Sequence, residues 1–278
     1  MHARAGAAAG QTPLARLESE VVECRRCPRL VAWREQVATV RRAAFAEEEY
    51  WGRPVPGFGD PQARIVVLGL APAAHGGNRT GRVFTGDRSG DWLFAALWRA
   101  GLASQPESIS AHDGLALRDC WVTAAVRCAP PANRPTTAER DLCGGWLVRE
   151  LSLLGRASVV VCLGGFAWDA ALALLSGVPR PRPRFGHGAE TVADFAPVYP
   201  GSRTSGGKVR PLTLLGSYHV SQQNTFTGRL TEPMLDAVFA RALELAGVAA
   251  PEARHAAAFS RRAGDTPRPG RTVTTRLG

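Results

Sequence analysis

Four short apolar runs, each bounded by turn-forming residues, are the strongest constraint that this sequence places on its fold. Runs of this length and character are typical of strands that are buried on both faces of a parallel sheet. Stretches with helical spacing separate the runs, and this alternation predicts an α/β fold: a three-layer α/β/α sandwich with a central four-stranded parallel sheet. The predicted strands are residues 64–70, 120–126, 158–163 and 212–216, and the predicted helices are 91–100, 138–154, 166–175 and 233–246.

The chain is long enough for one large domain. It has 278 residues, of which 45% are hydrophobic, and this suffices for a substantial core. No uncharged apolar stretch reaches the length of a membrane span, and the first residues lack the apolar centre of a secretion signal, so we expect a cytoplasmic protein. We expect one domain over residues 13–249, a disordered N-terminus at 1–12, a surface excursion rich in proline, glycine and arginine at 177–207, and a disordered basic tail at 250–278.

The charge balance favours a polyanionic partner. Lysine and arginine outnumber aspartate and glutamate by 34 to 24, which gives a net charge of +10. Basic side chains that neutralise phosphates release condensed counterions, and this makes a basic protein suited to nucleic acid. A GC-rich genome, which favours arginine codons, would leave the same signature, so the charge alone does not decide between the two interpretations.

Polar residues follow three of the four predicted strands, at the ends where ligands bind in open parallel sheets. The first strand runs into a glycine-rich loop that carries Asp87, the second into a proline-rich loop that carries Asn133, and the fourth into a loop that begins near His219. The first loop matches neither a Walker phosphate loop nor a dinucleotide fingerprint. Each residue also has an ordinary structural interpretation: a helix cap or turn for the aspartate, a turn for the asparagine, and a buried structural role for the histidine.

Four of the six cysteines form a pattern that is typical of metal or cluster ligands. Cys24 and Cys27 form a C-x-x-C pair between two short helical stretches, and fourteen residues separate Cys128 from Cys143. Four soft thiolates suit zinc or an iron–sulfur cluster, although a zinc ribbon normally has a second closely spaced pair. Four unrelated buried thiols are the alternative. The other two cysteines lie in or beside apolar runs and are expected in the core: Cys120 and Cys162.

Two motifs on this cysteine frame resemble the family 5 uracil-DNA glycosylases. They are Gly69-Leu-Ala-Pro-Ala73 and His219-Val-Ser-Gln-Gln-Asn224, and the resemblance extends over roughly residues 24–246. It implies a base excision repair enzyme that hydrolyses the N-glycosidic bond of uracil and other deaminated bases, such as hypoxanthine and xanthine, in DNA. It further implies a monomer that acts on damaged bases in double-stranded DNA, and in single-stranded DNA as well, at the bacterial nucleoid. The implied cofactor is a [4Fe–4S] cluster held by Cys24, Cys27, Cys128 and Cys143.

The resemblance also assigns roles to individual residues. A base inside a duplex must be flipped out before its glycosidic bond can be reached. Phe84 corresponds to the residue that stacks on the flipped base, His219 to a hydrogen-bond donor beside the leaving base, and the loop 221–226 to the element that enters the minor groove. The implied catalytic residues are Asp87, Asn133 and His219, and the implied substrate-binding residues are Gly69, Ala71, Ala73, Phe84, Ser221 and Asn224.

Two alanines depart from the better-known uracil glycosylases. Ala71 stands where those enzymes carry an acidic or amide residue, so water activation would fall to another group, and Asp87 is the candidate. Ala124 lies near the position of an asparagine that reads the uracil edge in related iron–sulfur enzymes. Losing one bidentate reader forfeits roughly 1–3 kcal/mol of discrimination, which predicts a broad substrate range. Because these motifs contain no lysine that could form a Schiff base, we expect a monofunctional enzyme without strand cleavage.

Two rival functions fit the same residues. The missing acid at Ala71 would also suit a non-catalytic protein that binds uracil-containing or single-stranded DNA. An enzyme that acts on free nucleotides is the other rival, although a small substrate does not need a wide basic surface. Release of free base distinguishes an enzyme from a binder, and competition by undamaged duplex DNA distinguishes a DNA enzyme from a nucleotide enzyme.

Overall fold

The computed structural model describes residues 11–196 and 209–249, and a mixed β-sheet runs through this part of the chain. The strands are β1 Phe58–Gly59, β2 Ile65–Gly69, β3 Cys120–Ala124, β4 Val159–Leu163, β5 Glu190–Phe195 and β6 Arg210–Ser217. Across the described residues their order in the sheet is β1-β3-β2-β4-β6-β5. The four inner strands are parallel, and the two edge strands, β1 and β5, are antiparallel to their neighbours.

The predicted central four-stranded parallel sheet accounts for only part of the observed sheet, because an antiparallel strand is added at each edge. β1 is only two residues long, too short to leave an apolar run. β5 alternates exposed and buried side chains, as a strand covered on one face does, and it lies inside the stretch 177–207 for which only a surface excursion was predicted. The four predicted strands are the inner ones, and β2, β3 and β4 are buried at every position.

Helices cover both faces of the sheet and complete the three layers. They are α1 Pro13–Val22, α2 Pro28–Val40, α3 Gly77–Thr80, α4 Arg88–Arg99, α5 Thr137–Leu153, α6 Gly165–Leu172, α7 Gln222–Phe226 and α8 Glu232–Leu245. Alternate residues of β2 face opposite layers: Ile65 lies in the core beneath α4 and α8, whereas Val66 lies in the core beneath α5 and α6. The four helices predicted between and after the strands are present as α4, α5, α6 and α8, with ends shifted by one to three residues.

The described N-terminal structure begins before the predicted boundary. Thr12 caps α1, because its hydroxyl oxygen accepts a hydrogen bond from the backbone N–H of Ala15 at 3.2 Å. Thr12, which lies one residue before the predicted domain, therefore belongs to the cap of α1. Residues 1–10 and the predicted basic tail at 250–278 lie outside the described residues, as do residues 197–208. None of the described helices is long and apolar enough to cross a membrane.

The strand order creates a crevice at the carboxyl ends of two central strands. The chain adds β3 on one side of β2 and β4 on the other side. At such a switch point the connections leave the sheet in opposite directions, and the gap between them is the usual ligand site of open α/β sheets. β2 ends at Gly69, and Gly164 follows β4. The space between these two glycines is therefore the expected ligand site.

Candidate active site

Gly69 supports the ring of Phe84 in this crevice. The ring lies so close to the Gly69 backbone that a β-carbon there would come within 2.5 Å of the Phe84 Cζ atom. Only glycine tolerates such an approach without a shift of the neighbouring ring. Two of the residues that the sequence implicates in substrate binding are thus in direct contact.

Phe84 holds a left-handed backbone conformation, with φ at 52°. This region is strained for a bulky residue by about 1–3 kcal/mol, so the surrounding structure must hold the residue in place. The adjacent Thr85 is completely buried, and its hydroxyl contacts the Val83 carbonyl at 3.1 Å and the Ser108 hydroxyl at 2.7 Å. Backbone strain of this kind is concentrated at functional sites.

A buried arginine anchors the same loop. Arg82 donates to the hydroxyl of Thr85 at 3.0 Å, to that of Ser108 at 2.7 Å and to the Asp113 carboxylate at 2.6 Å. Burial on its own would raise the pKa of Asp113, but Arg82 and backbone N–H groups outweigh it and lower that pKa to about 2. The ion pair is therefore intact at neutral pH and fixes the loop that carries Phe84.

His219 faces Phe84 across the crevice. The two ring centroids are 6.3 Å apart with an interplanar angle of 39°. The Asn224 side-chain amide donates to the His219 carbonyl at 2.8 Å and fixes the start of the loop. Burial lowers the pKa of His219 to about 4, so its imidazole is neutral near pH 7 and retains one N–H donor.

We expect the His219 imidazole to remain neutral down to about pH 5 in the folded protein. Its pKa is lowered by burial to about 4, so the unfolded chain binds a proton at a higher pH than the folded chain does. Stability should therefore fall as the pH drops from about 6.5 toward 4. Nitrogen NMR of the histidine rings, with the His219 signal assigned through His219→Gln, measures this pKa directly. Protonation of His219 near pH 6.5 would contradict the assignment.

Asp87 ends the loop and caps α4. Its Oδ1 atom accepts a hydrogen bond from the Gly90 backbone N–H at 3.0 Å, and its carboxylate lies against the backbone of Gly76. Burial raises the pKa of Asp87, while the backbone N–H groups of Gly90 and Ser89 act in the opposite direction. The ordinary capping role is therefore real, and the raised pKa also makes the carboxylate a better proton acceptor.

Asn133 occupies the other predicted catalytic loop. It follows β3 within a 3₁₀ turn, Pro131–Asn133, and it has a positive φ of 55°. Its side chain is exposed, and among the described residues it makes no hydrogen bond to Asp87 or His219. The structure therefore brings Gly69, Phe84 and His219 together, whereas Asn133 lies on a separate exposed turn.

The remaining predicted substrate-binding residues lie on the same two loops. Ala71 packs beside the cluster of residues that contains Cys128 and Cys143. The Ala73 carbonyl accepts the backbone N–H of Asn78 at 3.0 Å and shapes the loop after β2. Ser221 is the residue before α7, and its carbonyl accepts the backbone N–H of Asn224 at 3.0 Å.

The four predicted ligand cysteines line one small, largely apolar cavity beside α2 and α5. Cys128 and Cys143 are buried, and Cys24 and Cys27 are partly buried. Over residues 11–196 and 209–249, no three Cys, His, Asp or Glu side chains are arranged to hold a single metal ion. Burial raises the pKa of the Cys128 thiol to about 11, and Arg34 opposes that rise. Other residues that line the cavity include Leu30, Val31, Leu142 and Trp146.

The last two cysteines lie where the sequence predicts them. Cys120 and Cys162 are completely buried in β3 and β4. They belong to the hydrophobic cores on opposite faces of the sheet and lie apart from the four-cysteine cavity. Their role in this fold is packing.

Sequence reasoning missed two residues that shape the site. Gly164 lies beside His219, and a β-carbon on it would be 3.4 Å from the histidine Cβ. Its signal was a Gly-Gly pair directly after an apolar run, at the one strand end without polar side chains. Arg34 is buried against Cys128, and no sequence signal separates it from the exposed arginines of the same stretch.

Comparison with known proteins assigns this arrangement to a family. The model of the uracil DNA glycosylase superfamily matches residues 56–243, a span that contains the three loops after β2, β3 and β6. The chain belongs to this superfamily. It is 53% identical over 242 residues to a type-5 uracil-DNA glycosylase of Mycobacterium tuberculosis, which covers 87% of this chain and 85% of the relative. The type-5 uracil-DNA glycosylase of Thermus thermophilus is 52% identical over 225 residues, or 81% of this chain and 94% of the relative.

More distant members match a smaller part of the chain. A type-4 uracil-DNA glycosylase of Archaeoglobus fulgidus is 38% identical over 114 residues, which is 41% of this chain and 49% of the relative. The predicted membership of the type-5 uracil-DNA glycosylases is therefore confirmed. The roles of the individual site residues stay predictions.

Proposed function

We propose that this protein is a DNA glycosylase that hydrolyses the N-glycosidic bond of uracil and leaves an abasic site, as a step of base excision repair. The observation that carries the proposal is the crevice between β2 and β4, where the Phe84 ring rests on Gly69 and faces the neutral imidazole of His219. An aromatic wall with a hydrogen-bond donor nearby suits a flat, polar base that has been flipped out of the duplex. The names of the type-5 relatives support the same activity.

The chemistry follows from the charges that develop as the bond breaks. Electron density builds on the leaving base, and the N–H of His219 would stabilise it there as a preorganised donor. The sugar becomes cationic, and the carboxylate of Asp87 would stabilise it and orient the attacking water, as carboxylates do in glycoside hydrolysis. Asn133 would contribute from its own loop. Because no lysine takes part, the reaction stops at the abasic site.

We propose a [4Fe–4S] cluster in the four-cysteine cavity. Such a cluster takes one thiolate per iron, so thiolates placed around a cavity suit it. The residues fit the group in a second way: Trp146 lines the cavity, and its buried indole N–H has no hydrogen-bond partner among the described residues, so a cluster sulfur could accept it. When bound, the cluster would supply a cross-link between the segment before α2, the loop after β3 and α5, and it would take no part in the hydrolysis.

We propose a substrate range that includes hypoxanthine and xanthine. Ala124 is paired with Gly69 across β2 and β3, so the strand end beside the crevice carries no side-chain amide that could read one base edge. Ala71, at the start of the next loop, likewise presents only a methyl group. Discrimination by hydrogen bonds is weak without such readers, and recognition rests on shape and stacking.

DNA is the partner that the surface supports. The net charge is +10, and the loop at the end of β6 exposes Phe226, whose ring lies 5.2 Å from the Arg88 guanidinium. An exposed aromatic ring beside a cation is suited to bases and phosphates at once. We propose that the protein acts as a monomer on duplex DNA, and on single-stranded DNA as well, at the nucleoid.

Excision from synthetic DNA tests the proposed activity. With uracil, hypoxanthine or xanthine at one position of a duplex, we expect time-dependent release of the free base and a product that breaks only after alkali treatment. Borohydride should trap no protein–DNA adduct, because no amine attacks the sugar. A gel shift without base release would indicate a DNA-binding protein, and activity that undamaged duplex does not compete for would indicate a nucleotide enzyme. Release of uracil alone would refute the broad range.

A further inference from the structure

Arg34 in α2 is a buried cation directed at one of the four cysteines. The residue is 2% exposed, and its Nη1 atom donates to the Cys128 sulfur at 3.0 Å and to the Cys24 carbonyl at 3.2 Å. Its carboxylate neighbour Glu35 is 3.8 Å away and partly exposed. A buried charge is costly unless an opposite charge and hydrogen bonds compensate it. When it ligates the proposed cluster, Cys128 would be a thiolate, and this thiolate is the compensating group that the position offers.

The same residue also holds the loop that follows β2. The Asn78 side-chain amide donates to the backbone carbonyl of Arg34 at 3.2 Å, and Asn78 is completely buried. Its backbone N–H donates to the Ala73 carbonyl, and Gly76, two residues earlier, lies against the carboxylate of Asp87. A continuous series of contacts therefore runs from a cluster cysteine, through Arg34 and Asn78, to the proposed catalytic carboxylate.

We infer that Arg34 is a positioning residue that locks the Asp87 loop to the iron–sulfur cluster. This inference rests on the proposed cluster. The guanidinium fixes α2 against Cys128, and the carbonyl of the same residue fixes Asn78, so a displaced α2 would move the loop. Hydrogen bonds and positive charge at a cluster thiolate favour the more negative, reduced cluster. The contact should therefore raise the reduction potential of the cluster and also increase the rate of base excision.

Arg34→Met tests both the effect on the cluster potential and the effect on the rate of base excision. Asn78→Ala separates the two effects. For Arg34→Met we expect a lower midpoint reduction potential by voltammetry and a 10- to 100-fold lower single-turnover rate on uracil-containing duplex, the size of loss that a small misplacement causes. For Asn78→Ala we expect a similar loss of rate with an unchanged potential. Gln36→Met, at an exposed position of the same helix, is the matched control and should change neither property.

The outcomes separate the inference from the proposed cluster. Wild-type protein without iron would overturn the cluster itself. Iron-loaded wild type together with an Arg34→Met variant of unchanged potential and rate would overturn the role of Arg34 and leave the cluster intact. If Arg34→Met fails to fold or to retain iron, Arg34→Lys, which keeps the positive charge but not the guanidinium geometry, takes its place. A lysine variant with wild-type potential and rate would then overturn the need for a guanidinium.

Discussion

Replacing Asp87 with asparagine should lower the rate of uracil excision by about 10²- to 10⁴-fold, the contribution that a general base or charge-stabilising carboxylate makes. The change removes the negative charge and keeps the shape. An asparagine oxygen can still accept the Gly90 N–H, so the cap of α4 survives. The measurement is single-turnover release of uracil from a duplex at pH 7.

The stability of the same variant separates the catalytic role from the structural one. Because burial raises the pKa of Asp87, the folded state disfavours the charged carboxylate. The wild type therefore loses stability as the pH rises through that raised pKa, whereas Asp87→Asn has no charge to bury. We expect Asp87→Asn to melt at or above the wild-type temperature near pH 7. Asp87→Ala, which loses the cap, should be less stable by about 1 kcal/mol.

A control lies one turn away on the same helix. Asp91 is also acidic and belongs to the first turn of α4, but it is exposed. Asp91→Asn should leave the excision rate unchanged. An Asp87→Asn enzyme that releases uracil at the wild-type rate would show that the carboxylate is a helix cap only.

Replacing Cys128 with serine should remove the iron and with it a large part of the stability. The thiolate is the ligand that a cluster needs, and a hydroxyl is a poor substitute. Binding of a structural metal group contributes directly to folding free energy, so the loss should amount to several kcal/mol, or a fall of roughly 10 °C or more in melting temperature. Iron and sulfide analysis, visible absorbance and thermal melting measure the effect.

Cys162→Ser is the matched control for this experiment. Cys162 is also buried, but it belongs to the sheet core and lies apart from the four-cysteine cavity. The Cys162→Ser variant should keep its iron and its visible absorbance even if packing in β4 suffers. A colourless wild-type protein that carries stoichiometric zinc and excises uracil would overturn the cluster assignment.

The sequence predicts the inner sheet well because apolar runs are a property of strands buried on both faces. The runs that became β2, β3 and β4 are buried at every position, and hydrophobic pattern alone locates them. Edge strands leave a weaker signal. β5 shows only alternation within a stretch rich in proline, glycine and arginine, and β1 has two residues. Their pairing depends on neighbours that are distant in sequence.

In the candidate site, too, the sequence indicates residues that leave a local pattern and misses those whose role depends on distant neighbours. The sequence singles out His219 because polar side chains directly after a buried strand are unusual, and it singles out Asp87 in the glycine-rich loop after β2, while the catalytic roles of both stay predictions. Gly164 was harder to predict, because its contribution is the space it leaves beside His219. Arg34 could not be predicted from the sequence, because an arginine in a helical stretch ordinarily faces solvent. Only the folded structure directs it at Cys128.

The left-handed backbone of Phe84 has a consequence for how damage is recognised. Because the chain itself fixes this ring when it folds, an incoming base meets a surface whose shape has already been set, and little freedom of the protein is lost on binding. In the proposed function, lesion choice would then depend also on the residues behind the ring. Arg82, Ser108 and Asp113, which hydrogen-bond to one another behind the Phe84 loop, would contribute to recognition by fixing the ring.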